Sequence, residues 1–126
     1  MAPWEQLKAA HPGDASAQLR AWLKDMASHV VNRDERGCPL TNAAVELPEK
    51  DHPARRVIEE CKGAIRKRVV ALCRDAGLNE PDLLADELNL MFEGARVTAQ
   101  SVGIDGLGAR LKRISEALIA AHTPKR

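Results

Sequence analysis

A chain of 126 residues can bury roughly two thirds of the surface its unfolded form exposes, so residues 1–126 are expected to form a single domain that needs neither disulfides nor a metal to fold. Nineteen Lys and Arg against eighteen Asp and Glu leave a formal charge of +1, which argues against the concentrated basic face of a nucleic-acid-binding domain. Three cysteines without a CxxC unit exclude a disulfide framework, and no apolar run reaches the ~20 residues of a membrane span; the expectation is a soluble cytoplasmic protein with no membrane contact.

The chain opens with a short helix or loop that carries Trp4 and Leu7 and breaks at His11, Pro12 and Gly13. A clear amphipathic helix follows, capped by Asp14 or Ser16, with Leu19, Trp22, Leu23, Met26 and Val30 on one face and an end near Arg33. The segment GCPLTNAAVELPEKDHP, from Gly37 to Pro53, is the most distinctive wording in the chain. Thr41 or Asn42 can cap a short helix there that Pro48 ends. Chemically the segment offers the Cys38 thiol and the Asn42 amide, which both donates and accepts hydrogen bonds.

From Pro53 the residues Ile58, Cys61, Ile65, Val69, Leu72 and Ala76 recur at steps of three and four, the period of one helix face. Gly77 is placed to close that helix in the left-handed conformation, with Leu78 folding back onto it. Asn79 reads as the N-cap of the next helix, Asp82 as its imperfect capping-box partner and Pro81 as a first-turn residue. So short a connection makes the two helices antiparallel neighbours. The first bears seven cations against three acids and the second, to Val102, one cation against five acids, so mutual charge compensation is expected.

The second of these helices has a narrow polar stripe, Asp82, Asp86, Asn89, Glu93, Arg96 and Gln100, and is otherwise apolar or small. A helix apolar over most of its circumference requires cover on two sides. Its own fold supplies one; a second subunit is expected to supply the other around Leu83, Leu90, Gly94 and Val97. After a break at Gly103, Gly106 and Gly108, the residues Leu107, Leu111, Ile114, Leu118 and Ala121 make a last amphipathic helix ending near His122, so that the ordered part runs over 12–122.

Signals for catalysis or metal binding are missing. His11, His29, His52 and His122 show no HExxH or Cys-His spacing, there is no G-x-S-x-G, and the adjacent Asp86 and Glu87 point about 100° apart on a helix. The reading is a non-enzyme without catalytic residues, metal or cofactor.

The order of a helix with an aromatic, then GCPLTNAAVEL, the long helix from Pro53, NEPDLLADELNLMFEGARVTAQ and a last amphipathic helix resembles the C-terminal domain of TetR/AcrR-type transcriptional regulators over roughly Pro12 to His122. The resemblance implies an all-α bundle of five to six helices that senses a small molecule and holds a homodimer together. In such regulators a helix-turn-helix precedes this domain; none precedes Pro12, which leaves an excised piece or a headless relative whose only route to DNA would be a module outside this chain. Trp22, Met26, Ile58, Cys61, Ile65, Leu88, Met91, Phe92 and Ala95 are expected to converge on an effector, with Asn42 and Arg96 as its polar contacts and Cys38 nearby. Met26 and Met91, as adaptable side chains, suit a cavity for more than one shape. The expected function is that of the ligand-sensing and dimerisation half of a repressor, for a small and mainly apolar effector. The alternatives are a headless small-molecule- or partner-binding dimer, and a redox or electrophile sensor built on Cys38.

Overall fold

Five helices and no strand are present among the residues that the computed structural model describes, 3–32 and 53–125. They are α1 (Pro3–Ala10), α2 (Ala15–Asn32), α3 (Pro53–Asp75), α4 (Pro81–Ser101) and α5 (Leu107–Ala121). The fold is therefore all-α. Cys38 and Asn42 lie outside the described residues.

Asp14 rather than Ser16 caps α2: its Oδ1 accepts the Ala17 amide at 3.0 Å, satisfying one of the free donors of the first turn. At the far end of α3, Gly77 has φ +80°, donates to the Arg74 carbonyl at 3.0 Å, and lets Leu78 donate to the Cys73 carbonyl at 3.1 Å. These are the paired bonds of a Schellman closure, and only the left-handed backbone of Gly77 permits them cheaply. Leu78 then packs onto the core.

The start of α4 differs from the expected one. Asn79 does not cap it; Glu80 occupies the cap position with φ 47° and no side-chain bond to the helix, and Pro81 is the first helical residue. Asn79 is engaged elsewhere. Its amide donates to the His122 carbonyl at 2.7 Å, and its carbonyl accepts from His122 Nδ1 at 2.7 Å, so the end of α5 holds the α3–α4 turn.

α3 and α4 pack side by side, α2 crosses both, and α5 closes the bundle against α2 and α4, while α1 lies on α2. The core draws Leu19, Leu23 and Val30 from α2, Val69, Leu72 and Cys73 from α3, Leu84, Ala85, Leu88, Phe92 and Ala95 from α4, and Leu107, Leu111 and Ile119 from α5. Two helix faces are rotated from the sequence expectation. On α3, Cys61 and Ile65 are exposed: Ile58 is buried, but the helix joins the common core only through its C-terminal part, at Val69, Leu72 and Cys73. On α5 the buried line is Leu107, Leu111, Ser115 and Ile119, leaving Ile114 and Ala121 exposed and His122 buried.

Candidate functional site

A cavity of about 240 Å³ opens between α2, α3 and α4. Its deepest wall is Val69, Ala85 and Phe92, all buried; Trp22 and Met26 of α2 and Ile65 of α3 continue the apolar lining. Trp22 is fixed from two directions. Its ring meets Phe92 edge-on, with centroids 5.8 Å apart, and stacks on Trp4 of α1 at 6.2 Å. Arg68 caps the outer ring, its guanidinium carbon lying 5.4 Å from the Trp4 centroid. An aromatic row thus runs from α1 through the cavity wall to α4.

The polar lining comes from Lys62 and Arg66 on α3 and from Asp86, Asn89, Glu93 and Arg96 on α4. These four α4 residues belong to its narrow polar stripe, which runs along the edge of α4 beside α3 with Asp86 still half exposed. Two ion pairs tie the helices together. Lys62 Nζ donates to Glu93 Oε1 at 2.7 Å, and Arg66 grips Asp86 with two bonds, Nε to Oδ1 at 2.8 Å and Nη2 to Oδ2 at 3.2 Å. The hydrogen bond from Arg66, reinforced by its charge against a small cost of burial, holds the Asp86 carboxyl below the usual carboxylate range. Asn89 and Arg96 lie between and beyond these pairs, available to a polar atom on a bound molecule.

Of the residues expected around an effector, Trp22, Met26, Ile65, Phe92 and Arg96 line this cavity. The others within the described residues do not. Cys61 is exposed away from it, and Ile58, Leu88 and Ala95 are buried in packing outside its lining. Met91 turns toward α5 instead, where Ser115 Oγ approaches its sulfur at 3.7 Å, because α4 presents Phe92 to α2 and the preceding residue falls on the adjacent side. Lys62, Gly63, Arg66, Val69, Ala85, Asp86, Asn89 and Glu93 line the cavity without having been expected there. The signal was present in the opposite charges of α3 and α4, since two antiparallel helices that pair through acids and cations must bring those side chains to one seam.

Beside that polar stripe on α4, one turn from Asp86 and Glu93, Leu83, Leu90 and Val97 are 48%, 67% and 60% exposed, and Gly94 lies next to them. A Cβ added at Gly94 would meet nothing within 4 Å. The chain's own packing therefore gives no reason for a glycine in mid-helix, where it costs roughly 1 kcal/mol relative to alanine.

At the end of α5, both His122 ring nitrogens face acceptors: Nδ1 donates to the Asn79 carbonyl at 2.7 Å and Nε2 to Glu87 Oε1 at 2.5 Å. Burial opposes the charged imidazole, but the Asn79 carbonyl, the Glu87 carboxylate and the charge of Glu80 outweigh it and hold the pKa above the ordinary histidine value. Cys73 is a packing residue; burial pushes its thiol up to about 11, so it stays protonated. Among the described residues no group of three His, Cys, Asp or Glu side chains is placed to hold a metal ion, and no helix is long and apolar enough to cross a membrane.

The three long helices α2, α3 and α4 of this all-α bundle thus border an apolar-walled cavity. The family model for the C-terminal domain of LmrA/YxaF-like transcriptional regulators matches residues 15–103, and the chain belongs to this TetR-type regulatory family, which is not a family of enzymes. No curated protein and no solved structure matches it significantly.

Proposed function

We propose that this chain is the ligand-sensing and dimerisation domain of a TetR-like repressor. A small, mainly apolar effector would enter the cavity between α2, α3 and α4 and, in the full-length regulator, control binding to DNA from the cytoplasm. The observation that carries the reading is the combination of a buried apolar wall, Val69, Ala85 and Phe92, with Asn89 and Arg96 at the same opening. Pockets of this composition select by shape and orient by a few polar groups. A volume of about 240 Å³ lies just under the about 300–1,000 Å³ usual for drug-sized ligands, which suits a molecule of one or two rings. The lining carboxylates Glu93 and Asp86 are held in ion pairs with Lys62 and Arg66, so the cavity is read as a site that binds without catalysis.

Two features link binding to a response. The stack of Trp4 on Trp22 places α1 against the cavity wall, so an effector that moves Trp22 is felt in the first helix. The exposed stripe of Leu83, Leu90 and Val97 with the sterically unneeded Gly94 fits an isologous dimer in which α4 meets its own copy, over a total area on the order of 1,500 Å². Coupling then requires only that the effector prefer one arrangement of the two subunits.

The test is a titration of small aromatic and apolar metabolites followed by Trp22 fluorescence in a Trp4→Phe background. A saturable change is expected, and Gly63→Leu should abolish it: Gly63 lines the cavity, and a Cβ there meets nothing of the protein within 4 Å, so the longer side chain fills ligand space without disturbing the fold. Binding that survives Gly63→Leu unchanged would place the effector elsewhere.

A further inference from the structure

The exposed strip of Leu83, Leu90 and Val97 contains one acid. Glu87 follows Leu83 by four residues and precedes Leu90 by three, so it lies on the same face of α4, and its side chain is 35% exposed. Its carboxylate meets His122, which is buried at the end of α5.

The imidazole of His122 is held between two acceptors. Nδ1 meets the Asn79 carbonyl at 2.7 Å and Nε2 meets Glu87 Oε1 at 2.5 Å, and with Glu87 ionised neither acceptor has a proton to give. A neutral imidazole carries one N–H and satisfies only one of them; the imidazolium carries two and satisfies both. The charges around the ring agree. Glu87 acts on it from α4 and Glu80 from the α3–α4 turn, and among the described residues no cation of α2, α3 or α4 offsets them. Burial opposes the charged ring, but the Asn79 carbonyl and the two carboxylates hold its pKa above the ordinary histidine value.

A second copy seated on the strip changes the surroundings of Glu87. In the single chain, water reaches this carboxylate and shares in stabilising its charge. Covered by another subunit it loses that water, and a buried carboxylate is costly unless a cation compensates it. Among the described residues His122 is its one ion-pair partner. We infer that self-association of this chain is linked to the proton on His122: the imidazolium is the counter-ion that allows Glu87 to be covered by the second copy, and a neutral ring leaves that carboxylate unpaired inside the contact. The inference rests on the dimer of the proposed function and adds that its contact is proton-linked. Low pH keeps His122 charged and the dimer tight; a rise in pH through the folded pKa removes the counter-ion and loosens it. Linkage is reciprocal, so dimerisation itself raises the pKa of His122.

The experiment is sedimentation equilibrium of the full chain at about pH 6 and about pH 9, on either side of the raised histidine value, with Glu87→Gln and His122→Gln alongside and circular dichroism at both pH values to show that the helices persist. The wild-type dimer should dissociate about tenfold more readily, or worse, at the higher pH. Glu87→Gln places a neutral amide in the strip, which needs no counter-ion, and should associate equally at the two pH values. His122→Gln should associate weakly at both. Should a variant fail to fold, the NMR titration of the wild-type His122 ring decides: its pKa should be higher in the concentrated dimer than in the dilute monomer, a difference that a merely structural histidine would not show. A wild-type chain that is monomeric at both pH values removes the dimer reading and the linkage with it. A dimer of equal affinity at both pH values, a pH dependence that survives Glu87→Gln, or a His122 pKa unchanged by association would overturn the linkage alone and leave the dimer standing.

Discussion

Two adjoining strips of α4 differ in what they meet. The polar strip, Asp86, Asn89, Glu93 and Arg96, runs beside α3 and lines a cavity, while Leu83, Leu90 and Val97, three or four residues from Asp86 and Glu93, stand exposed next to it. Binary patterning would give polar residues to both strips, since both lie away from the core. The acids find cations: Lys62 and Arg66 on α3 supply partners at hydrogen-bond distance, with the Arg66–Asp86 pair still about half exposed. The apolar strip has no such partner among the described residues. The difference teaches that a polar stripe can be tied to a neighbouring helix of opposite charge while the apolar residues beside it stay uncovered.

The largest effect separates the core face of α4 from its exposed apolar strip. Phe92→Ala removes a fully buried ring that meets Trp22 edge-on, and a loss of about 3–5 kcal/mol of stability is expected in denaturant titration. Leu90→Ala, on the same helix but 67% exposed, should change the stability of the dilute monomer by no more than about 0.5 kcal/mol. Similar losses at both positions would mean that the exposed stripe is already packed within one chain.

Association tests the outer side directly. Leu90→Glu should weaken the dimer on the order of a hundredfold in analytical ultracentrifugation, about 2.7 kcal/mol, while leaving the helical circular dichroism spectrum unchanged. A wild-type chain that sediments as a monomer at micromolar concentration removes the dimer from the proposal.

The effect of pH bears on the end of the apolar side, where Glu87 sits between Leu83 and Leu90 in the helical register and bonds His122. A histidine whose pKa is raised by folding stabilises the fold fully below its unfolded value, about 6.5, and that contribution disappears as pH rises through the folded value. Stability should therefore decline from pH 6 toward the alkaline side, and His122→Gln should flatten that decline. A wild-type profile that rises over the same window contradicts the charged His122–Glu87 pair.

The smallest effect is expected at the ion-paired seam. Lys62→Met should cost about 0.2–1 kcal/mol, because the pair is about one third exposed at each end, and the cost should shrink with added salt. Gly63→Leu, one residue on, should instead stabilise the chain by roughly 0.5–1 kcal/mol through helix propensity while closing the cavity. Thermal melts of the two variants side by side distinguish a seam that holds the fold from one that shapes a site.

Much of this architecture was legible in the residues. The Gly77 closure, the start of α2 at Asp14, Pro81 in the first turn of α4 and the antiparallel placement of α3 and α4 follow from local rules, because caps and turns are decided within a few residues. Most of the cavity was less accessible. Trp22, Met26, Ile65, Phe92 and Arg96 line it, but Cys61, Leu88 and Met91 share the same helical periods and face elsewhere. A period of 3.6 fixes which residues share a face and not the angle at which that face meets its neighbours.

The sequence by itself determined the described helices, most of their ends and the charge complementarity between α3 and α4, since these depend on backbone propensity and on which residues recur at steps of three and four. Tertiary structure alone decided which side of α4 was covered, that Asn79 serves the end of α5 rather than capping α4, and that His122 is buried between a carbonyl and a carboxylate. The two His122 contacts join residues more than thirty positions apart in the chain, where the outcome is set by how the helices rotate to fill a common core and not by any local preference.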